Sequence, residues 1–347
     1  MRLRNASHDD LEELLAVSRS LDSVNLPADK GALSQLLERS TRSFNGEEED
    51  HARRTYLFVL EDEKGALLGC SMAIARHGTV SEPHYFFEVE ERVLRSPSLD
   101  RDVPHRVLRL RSDTRGLTEL GGLVVRPEAR GVASPGKQLS LVRLLYVAMH
   151  RERFCDRMLA ELMPPLAPDG TSALWDALGK RLTGLSYREA DKLSRADKRF
   201  IEELFPTDTI VASFLPVDAQ LEIGRVGPAT FAAQRMLERQ GFKYAAAVDP
   251  FDGGPHFVAD TDSVAVVRST RRLEAIEAGA EPAGRVRFLV AVERPIEPYF
   301  VATVAFAHSV ANTLHLDAKG WATLGLRRGE QVHATPFDDA ELRPLAN

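Results

Sequence analysis

The amino-acid sequence predicts a mixed α/β protein with a smaller β-rich part at its C-terminal end. Three observations lead there. A strand–loop–helix–strand run occupies residues 117–162, a hairpin at 56–75 precedes it, and beyond Ala278 the pattern changes to short strands punctuated by Gly and Pro. The 347 residues, 44% hydrophobic and 28% charged, suit a chain of roughly two domains with sizeable cores.

The elements follow in order. Met1–Arg4 reads as a strand, and Asp9–Leu21 as an amphipathic helix with Leu11, Leu14, Leu15 and Val17 at helical spacing behind a capping Ser7. A second helix runs from about Asp29 to Ser43 after the turn signal Leu26-Pro27, and the acidic run Glu47–Asp50 reads as a solvated loop. Tyr56–Glu61 and Ala66–Ala75 form the hairpin; His84–Glu90 and Arg106–Leu110 are further strands. The central unit is a strand to Val125, a loop with Arg126-Pro127 and Arg130-Gly131, an amphipathic helix from about Gly136 to Arg153, and a strand Met158–Leu162. Helices at Ser172–Lys180, Arg195–Leu204 and Pro228–Gln240 lead to a strand Lys243–Val248, which the turn Asp249–Pro255 closes. Strands at Val286–Val292, Tyr299–Ala307, Thr313–His315 and Glu330–Ala334 suit a small β-barrel-like domain over 278–347, leaving 1–277 as the larger domain.

Composition narrows the function. No apolar run reaches the ~18–20 residues of a spanning helix, and Met1–Ser7 leads directly into polar helix-start sequence, so a cytoplasmic protein away from membranes is expected. A formal net charge of -6 argues against nucleic acid as the main partner. Cys70 and Cys155 are too few for a disulfide framework. They and His84, His105, His150, His308, His315 and His333 lack metal-ligand spacing, so no metal is expected.

The loop Arg130–Lys137 carries the chemistry. A thioester donor such as acyl-CoA brings a pyrophosphate, which favours convergent N–H groups at a helix N-terminus. Arg130, Gly131, Ser134, Gly136 and Lys137 supply cations, a hydroxyl and close backbone approach directly before a helix. The same residues also make an ordinary structural turn. The amides of a pantetheine arm can pair with the backbone of Leu123, Val124 and Val125, and a main-chain N–H there can stabilise the oxyanion when an amine attacks. Ser134 lacks nucleophile-elbow context.

The order of elements, with a late helix running into Leu237–Tyr244, resembles the GCN5-related acyl-CoA N-acyltransferase fold. The likeness narrows further. Leu26–Ala28, Phe58–Asp62, Glu119-Leu120, Ala160-Glu161, Trp175–Arg181, Ala190-Asp191, Phe200–Leu204, Ile223-Gly224, Gly241-Phe242 and Phe251–Pro255 occur in the order found in the arginine N-succinyltransferase family, which this chain resembles over nearly its whole length. That resemblance implies a succinyl-CoA co-substrate with no tightly bound cofactor, an amine acceptor, a small C-terminal β-domain, and a donor-contacting leucine at Leu123. It also exposes departures. The family's proton-donating His falls on Gly227, another family His is replaced around Asp113–Gly116, an Arg becomes Met163, and a Cys-Gly-Thr-Gly loop shortens to about Ser194–Asp197.

The acceptor chemistry therefore needs other residues. Glu119 and Glu161, at facing ends of adjacent strands, can bind an ammonium or act as base, or simply hydrogen-bond structurally. His256 is a proton carrier or a loop histidine. Asp252 holds an amine or guanidinium, or forms its own turn; Asp113 joins it as an acceptor-binding candidate. Trp175 and Phe200 read as core. The function expected is acyl transfer to a primary amine in a ternary complex, by a homo-oligomer or a hetero-oligomer with a sister subunit. The competing expectation is a non-catalytic acyl-CoA-binding subunit of a heteromeric succinyltransferase.

Overall fold

A computed structural model describes residues 1–19, 26–131, 133–167, 169–194, 197–278 and 286–338. Its strands are β1 Arg2–Asn5, β2 Thr55–Glu61, β3 Leu67–His77, β4 His84–Ser96, β5 Arg101–Asp113, β6 Leu117–Val125, β7 Arg157–Glu161, β8 Ile210–Val211, β9 Lys243–Val248, β10 Pro255–Asp260, β11 Arg271–Glu277, β12 Val286–Glu293, β13 Phe300–Val310, β14 Thr313–Leu316 and β15 Gln331–Pro336. Its α-helices are α1 Leu11–Arg19, α2 Lys30–Phe44, α3 Pro135–Met149, α4 Ala173–Ala177, α5 Gly179–Thr183, α6 Tyr187–Ser194, α7 Arg199–Leu204, α8 Val217–Glu222, α9 Phe231–Arg239, α10 Ala265–Ser269 and α11 Ala318–Leu324.

All these strands join one sheet, in the order β12-β15-β11-β14-β13-β1-β2-β3-β6-β7-β10-β9-β4-β5-β8. Because β12 also pairs with β13, the strands β11–β15 close on themselves as a small barrel. The barrel takes in β11, which lies ahead of residue 278, and β13 pairs with β1, so barrel and main sheet are continuous.

β2 shows why the centre holds. Every residue of Thr55–Glu61 is buried, because helices cover both faces of the sheet there and an apolar strand loses nothing by facing either. α2 covers one face through Leu33 and Leu37, with Asp29 capping its start by accepting a bond from the Ala32 N–H at 2.9 Å. α3 covers the other. It is not the amphipathic helix the sequence suggests: from Gln138 to Val147 every residue is buried. A helix pressed between sheet, α9, α10 and barrel has no solvent face.

The helical run expected at 172–180 is two short helices, broken at Leu178 (φ -120°, ψ -71°). Trp175 stacks on Phe251 at 4.9 Å, their planes 6° apart, and a Cβ on Gly179 would come within 2.3 Å of the indole. The Gly224 N–H donates to the Gly253 carbonyl at 2.8 Å. Thus three of the stretches that carry the family resemblance, 175–181, 223–224 and 251–255, lock onto one another. The first residues of the helix expected at 195–204 lie outside the described residues, and α7 begins at Arg199. α6 and α8 had no clear signal in the sequence. No helix among the described residues is long and apolar enough to cross a membrane.

Candidate active site

The sheet opens where the chemistry was expected. β6 and β7 run parallel but pair only at Thr118–Met158 and Glu119–Leu159. Past Glu119 the strands part, β7 stays with β10 through His256–Glu161, and among the described residues the edge of β6 that carries Leu123, Val124 and Val125 has no strand partner on that side. A fork of this kind admits an extended, amide-bearing chain along β6.

Within the fork β6 bulges. Opposite β3 the register runs Cys70–Val124 and then Met72–Gly121, so one extra residue sits in β6, and Gly122 takes φ +56°, a left-handed conformation that glycine adopts without strain. The bulge turns main-chain amides out of the ladder at the point where Leu123 lies. Arg143, buried in α3 directly behind, donates from Nη1 to the Gly121 carbonyl at 3.2 Å and from Nη2 to Ser140 Oγ at 3.3 Å. Burial pushes its guanidinium down to about 10.

The loop after β6 leads into the N-terminus of α3. Arg130 donates from Nε to the Val125 carbonyl at 3.3 Å, and Gly131 takes φ +85°. Val132 lies outside the described residues. Ser134, at φ +57°, is the cap residue of α3 but gives it no side-chain bond, so the amides of the first turn, around Gly136, have no hydroxyl cap. The ammonium of Lys137 sits 4.8 Å above the ring of Phe337, just past barrel strand β15, and ties the barrel to α3.

At the mouth of the fork the fold gathers a polar cluster. Glu119 ends the paired part of β6, Glu161 ends β7 and His256 lies opposite it in β10; these three were the sequence candidates, and they come together. Two further histidines join them. His77 ends β3 and presents Nδ1 to Glu119 Oε2 at 3.1 Å, while its Nε2 lies 3.0 Å from Nδ1 of His84, the first residue of β4. His84 Nδ1 is 3.7 Å from Glu161 Oε1, and His256 Nε2 is 3.5 Å from the same oxygen. The rings of His84 and His256 are 5.1 Å apart. Glu119, His84 and His256 are 4%, 3% and 2% exposed.

Burial sets the charge state of this cluster. It lowers His77, which Glu119 opposes only in part, and takes His84 well below the usual imidazole range, with His77 and His256 adding repulsion. It brings His256 down to about 3. Burial and the nearby Asp249 and Glu119 carboxylates hold Glu161 well above the usual carboxylate range. The imidazoles are therefore neutral at pH 7, with a lone pair available.

The two acceptor-binding candidates lie differently. Asp252 accepts the Gly254 N–H at 2.8 Å, forming its own turn, and burial beside Asp249 raises its carboxyl well above the ordinary range. Asp113 faces His84 across the β4–β5 ladder, but its carboxylate is held by Arg115 (Nη2–Oδ2 2.8 Å), which lowers it.

His77, His84, Gly122, Arg143 and Asp249 had no signal in the sequence. His77 and His84 are separated by a turn and belong to different strands, and only the tertiary fold brings β3, β4, β7 and β10 to one place. A glycine inside an apolar strand is the single feature that could have pointed to the bulge.

Comparison with known proteins gives this fork a family context. The family model for the arginine N-succinyltransferase beta subunit matches residues 1–266. Proteins named arginine N-succinyltransferase from Salmonella typhimurium and Salmonella newport are each 32% identical over 333 residues, covering 95% of this chain and 96% of theirs. The solved structure of the arginine/ornithine succinyltransferase subunit AI from Pseudomonas aeruginosa superposes with a TM-score of 0.82 at 29% identity, over 97% of this chain and 98% of that one. The chain belongs to the arginine N-succinyltransferase family, a family of N-acyltransferases.

Proposed function

We propose that the chain transfers a succinyl or related acyl group from coenzyme A to a primary amine such as arginine or ornithine, by direct attack in a ternary complex. The observation that carries this is the fork between β6 and β7, with a bulged, unpaired strand edge on one side and a buried His/Glu cluster at its mouth. Pantetheine pairs along Leu123–Val125, and the pyrophosphate sits at the start of α3 near Arg130, Gly131, Ser134 and Gly136. Lys137 contributes from behind, by fixing that helix against the barrel. Acyl-CoA is a co-substrate, and no tightly bound cofactor is needed.

In the reaction the amine nitrogen attacks the thioester carbonyl, the C–N bond forms and the C–S bond breaks. A main-chain N–H at the bulge near Leu123 stabilises the oxyanion, with the buried Arg143 adding positive charge behind the Gly121 carbonyl. Glu161 accepts a hydrogen bond from the acceptor amine, His256 Nε2 takes the amine proton, and Glu119 orients His77. The proton returns to the departing thiolate. Asp252 and Asp113 border the acceptor side, where a guanidinium or amine tail would extend. A cytoplasmic location fits such metabolism. The projecting β4–β5 hairpin, with Val93, Leu94 and Leu99 exposed, suits contact with another copy or a sister subunit.

The absence of a histidine at Gly227 does not argue for a non-catalytic subunit, because that position is closed to a side chain. A Cβ there would lie 2.6 Å from the Pro164 carbonyl oxygen and 2.9 Å from that of Met163, whose carbonyl already accepts the Gly227 N–H at 2.9 Å. Gly227→His is expected to lower stability by about 1–3 kcal/mol through overpacking, without raising turnover; an unchanged melting temperature with faster turnover would contradict this. The reading as a whole is tested by thiol release from succinyl-CoA against a panel of amino acids and polyamines. No amine-dependent release with any acyl-CoA would sink it.

A further inference from the structure

We propose that His77, His84 and Glu161 form a binding site for one divalent transition-metal ion of the zinc class. The three potential ligand atoms all lie within 4.8 Å of one another, on three different strands. His77 Nε2 and His84 Nδ1 are 3.0 Å apart, and His84 Nδ1 is 3.7 Å from Glu161 Oε1. Ligands at ~2.0–2.2 Å around a tetrahedral zinc stand roughly 3.4 Å from one another, a spacing these two distances bracket. The side chains need only small adjustments to close on an ion.

Two independent features point to a ligand. First, His77 is already oriented from its far side: Nδ1 faces Glu119 Oε2 at 3.1 Å, which directs Nε2 toward His84. A carboxylate behind the far nitrogen of a histidine is how metal-binding imidazoles are held and made more basic. Second, His256 Nε2 is buried, has no hydrogen-bond partner among the described residues, and lies 3.5 Å from Glu161 Oε1. With Asp249 it forms a second set of potential ligands around the same carboxylate. These donors and acceptors converge on Glu161, where the charge of nearby Lys198 offsets the burial of the carboxyl only in part, and a further positive charge among them would lower that cost.

The charge states agree. Burial keeps the imidazoles neutral, as ligands must be, and it disfavours the ionised form of Glu161, which a divalent ion would restore. Two imidazoles and a carboxylate are the donor set of a zinc site with one position left for a non-protein group. Binding of the ion stands whether or not the chain transfers acyl groups. Only its purpose rests on the proposed reaction: an amine in the vacant position would lose its proton more readily, which suits an acceptor as weakly basic as the buried His256.

The test is zinc content of the full-length chain after stripping with chelator, reloading with zinc chloride and gel filtration, with cobalt(II) absorption as an independent reading of ligand geometry. About one equivalent of zinc is expected to be retained by the wild type and lost by His84→Ala. Glu119→Gln, which removes only the group behind His77, is expected to weaken zinc roughly 10–100-fold in a chromophoric-chelator competition. Circular dichroism reports folding of each variant. If His84→Ala fails to fold, the Glu119→Gln competition decides alone. A wild-type chain that retains neither zinc nor cobalt, or a folded His84→Ala that retains as much as wild type, overturns the site, whatever the outcome of any acyl-transfer assay.

Discussion

His256→Gln is expected to lower kcat for amine-dependent release of coenzyme A by roughly 10²–10⁴-fold, with little change in KM for succinyl-CoA. Glutamine keeps much of the volume of the buried ring, so the core around β10 is preserved, but it cannot accept and return a proton. His256 is 2% exposed, and its Nε2 lies 3.5 Å from the carboxylate that would receive the acceptor. Steady-state kinetics on the purified variant, with added imidazole as a rescue probe, make the check. A kcat within threefold of wild type would remove His256 from the proton path and leave the carboxylates to perform it.

The second large effect concerns the donor side. Gly122→Ala places a Cβ on a residue at φ +56°, 3.4 Å from Met72 Cβ. Holding alanine in the left-handed region costs about 1–2 kcal/mol, and the strand can relieve it by flattening the bulge. Flattening returns the amides near Leu123 to the ladder with β3 and takes them away from the oxyanion. A misplacement of about 1 Å costs on the order of 10²-fold in rate, so kcat is expected to fall that far while the variant remains folded. Thermal melts and kinetics together make the check: a destabilised but fully active Gly122→Ala would show that the bulge serves packing only.

The elements on which the proposed donor half rests were legible in the sequence because their signals are local. A strand, a glycine-bearing loop and a helix start are consecutive in the chain, and residues 117–149 fold much as they read. The barrel was legible for the same reason, through turn residues between short strands, although β11 carries no such boundary and its place in the barrel comes from pairing with β14 and β15. The acceptor half is a matter of topology. β4 pairs with β9 at Phe87 and Glu88, and ahead of that point the buried His84 meets residues more than seventy positions further along. No periodicity encodes that meeting. The full length of the β4–β5 hairpin was also hidden, since its outer half is held by cross-strand pairs such as Arg106–Glu91 and Arg95–Asp102 and looks like solvated loop by composition. In α3 the apolar residues continue around the whole helix, and only the layers on both sides explain why.

The central claim, that the fork between β6 and β7 is an acyl-CoA site serving an amine acceptor, is tested most directly by continuous thiol detection with the purified full-length chain, succinyl-CoA and arginine or ornithine. The account predicts coenzyme A release that requires the amine, saturates in both substrates and yields the succinylated amine by mass spectrometry. Folded protein that releases no thiol above the uncatalysed rate with any amine in the panel would contradict it.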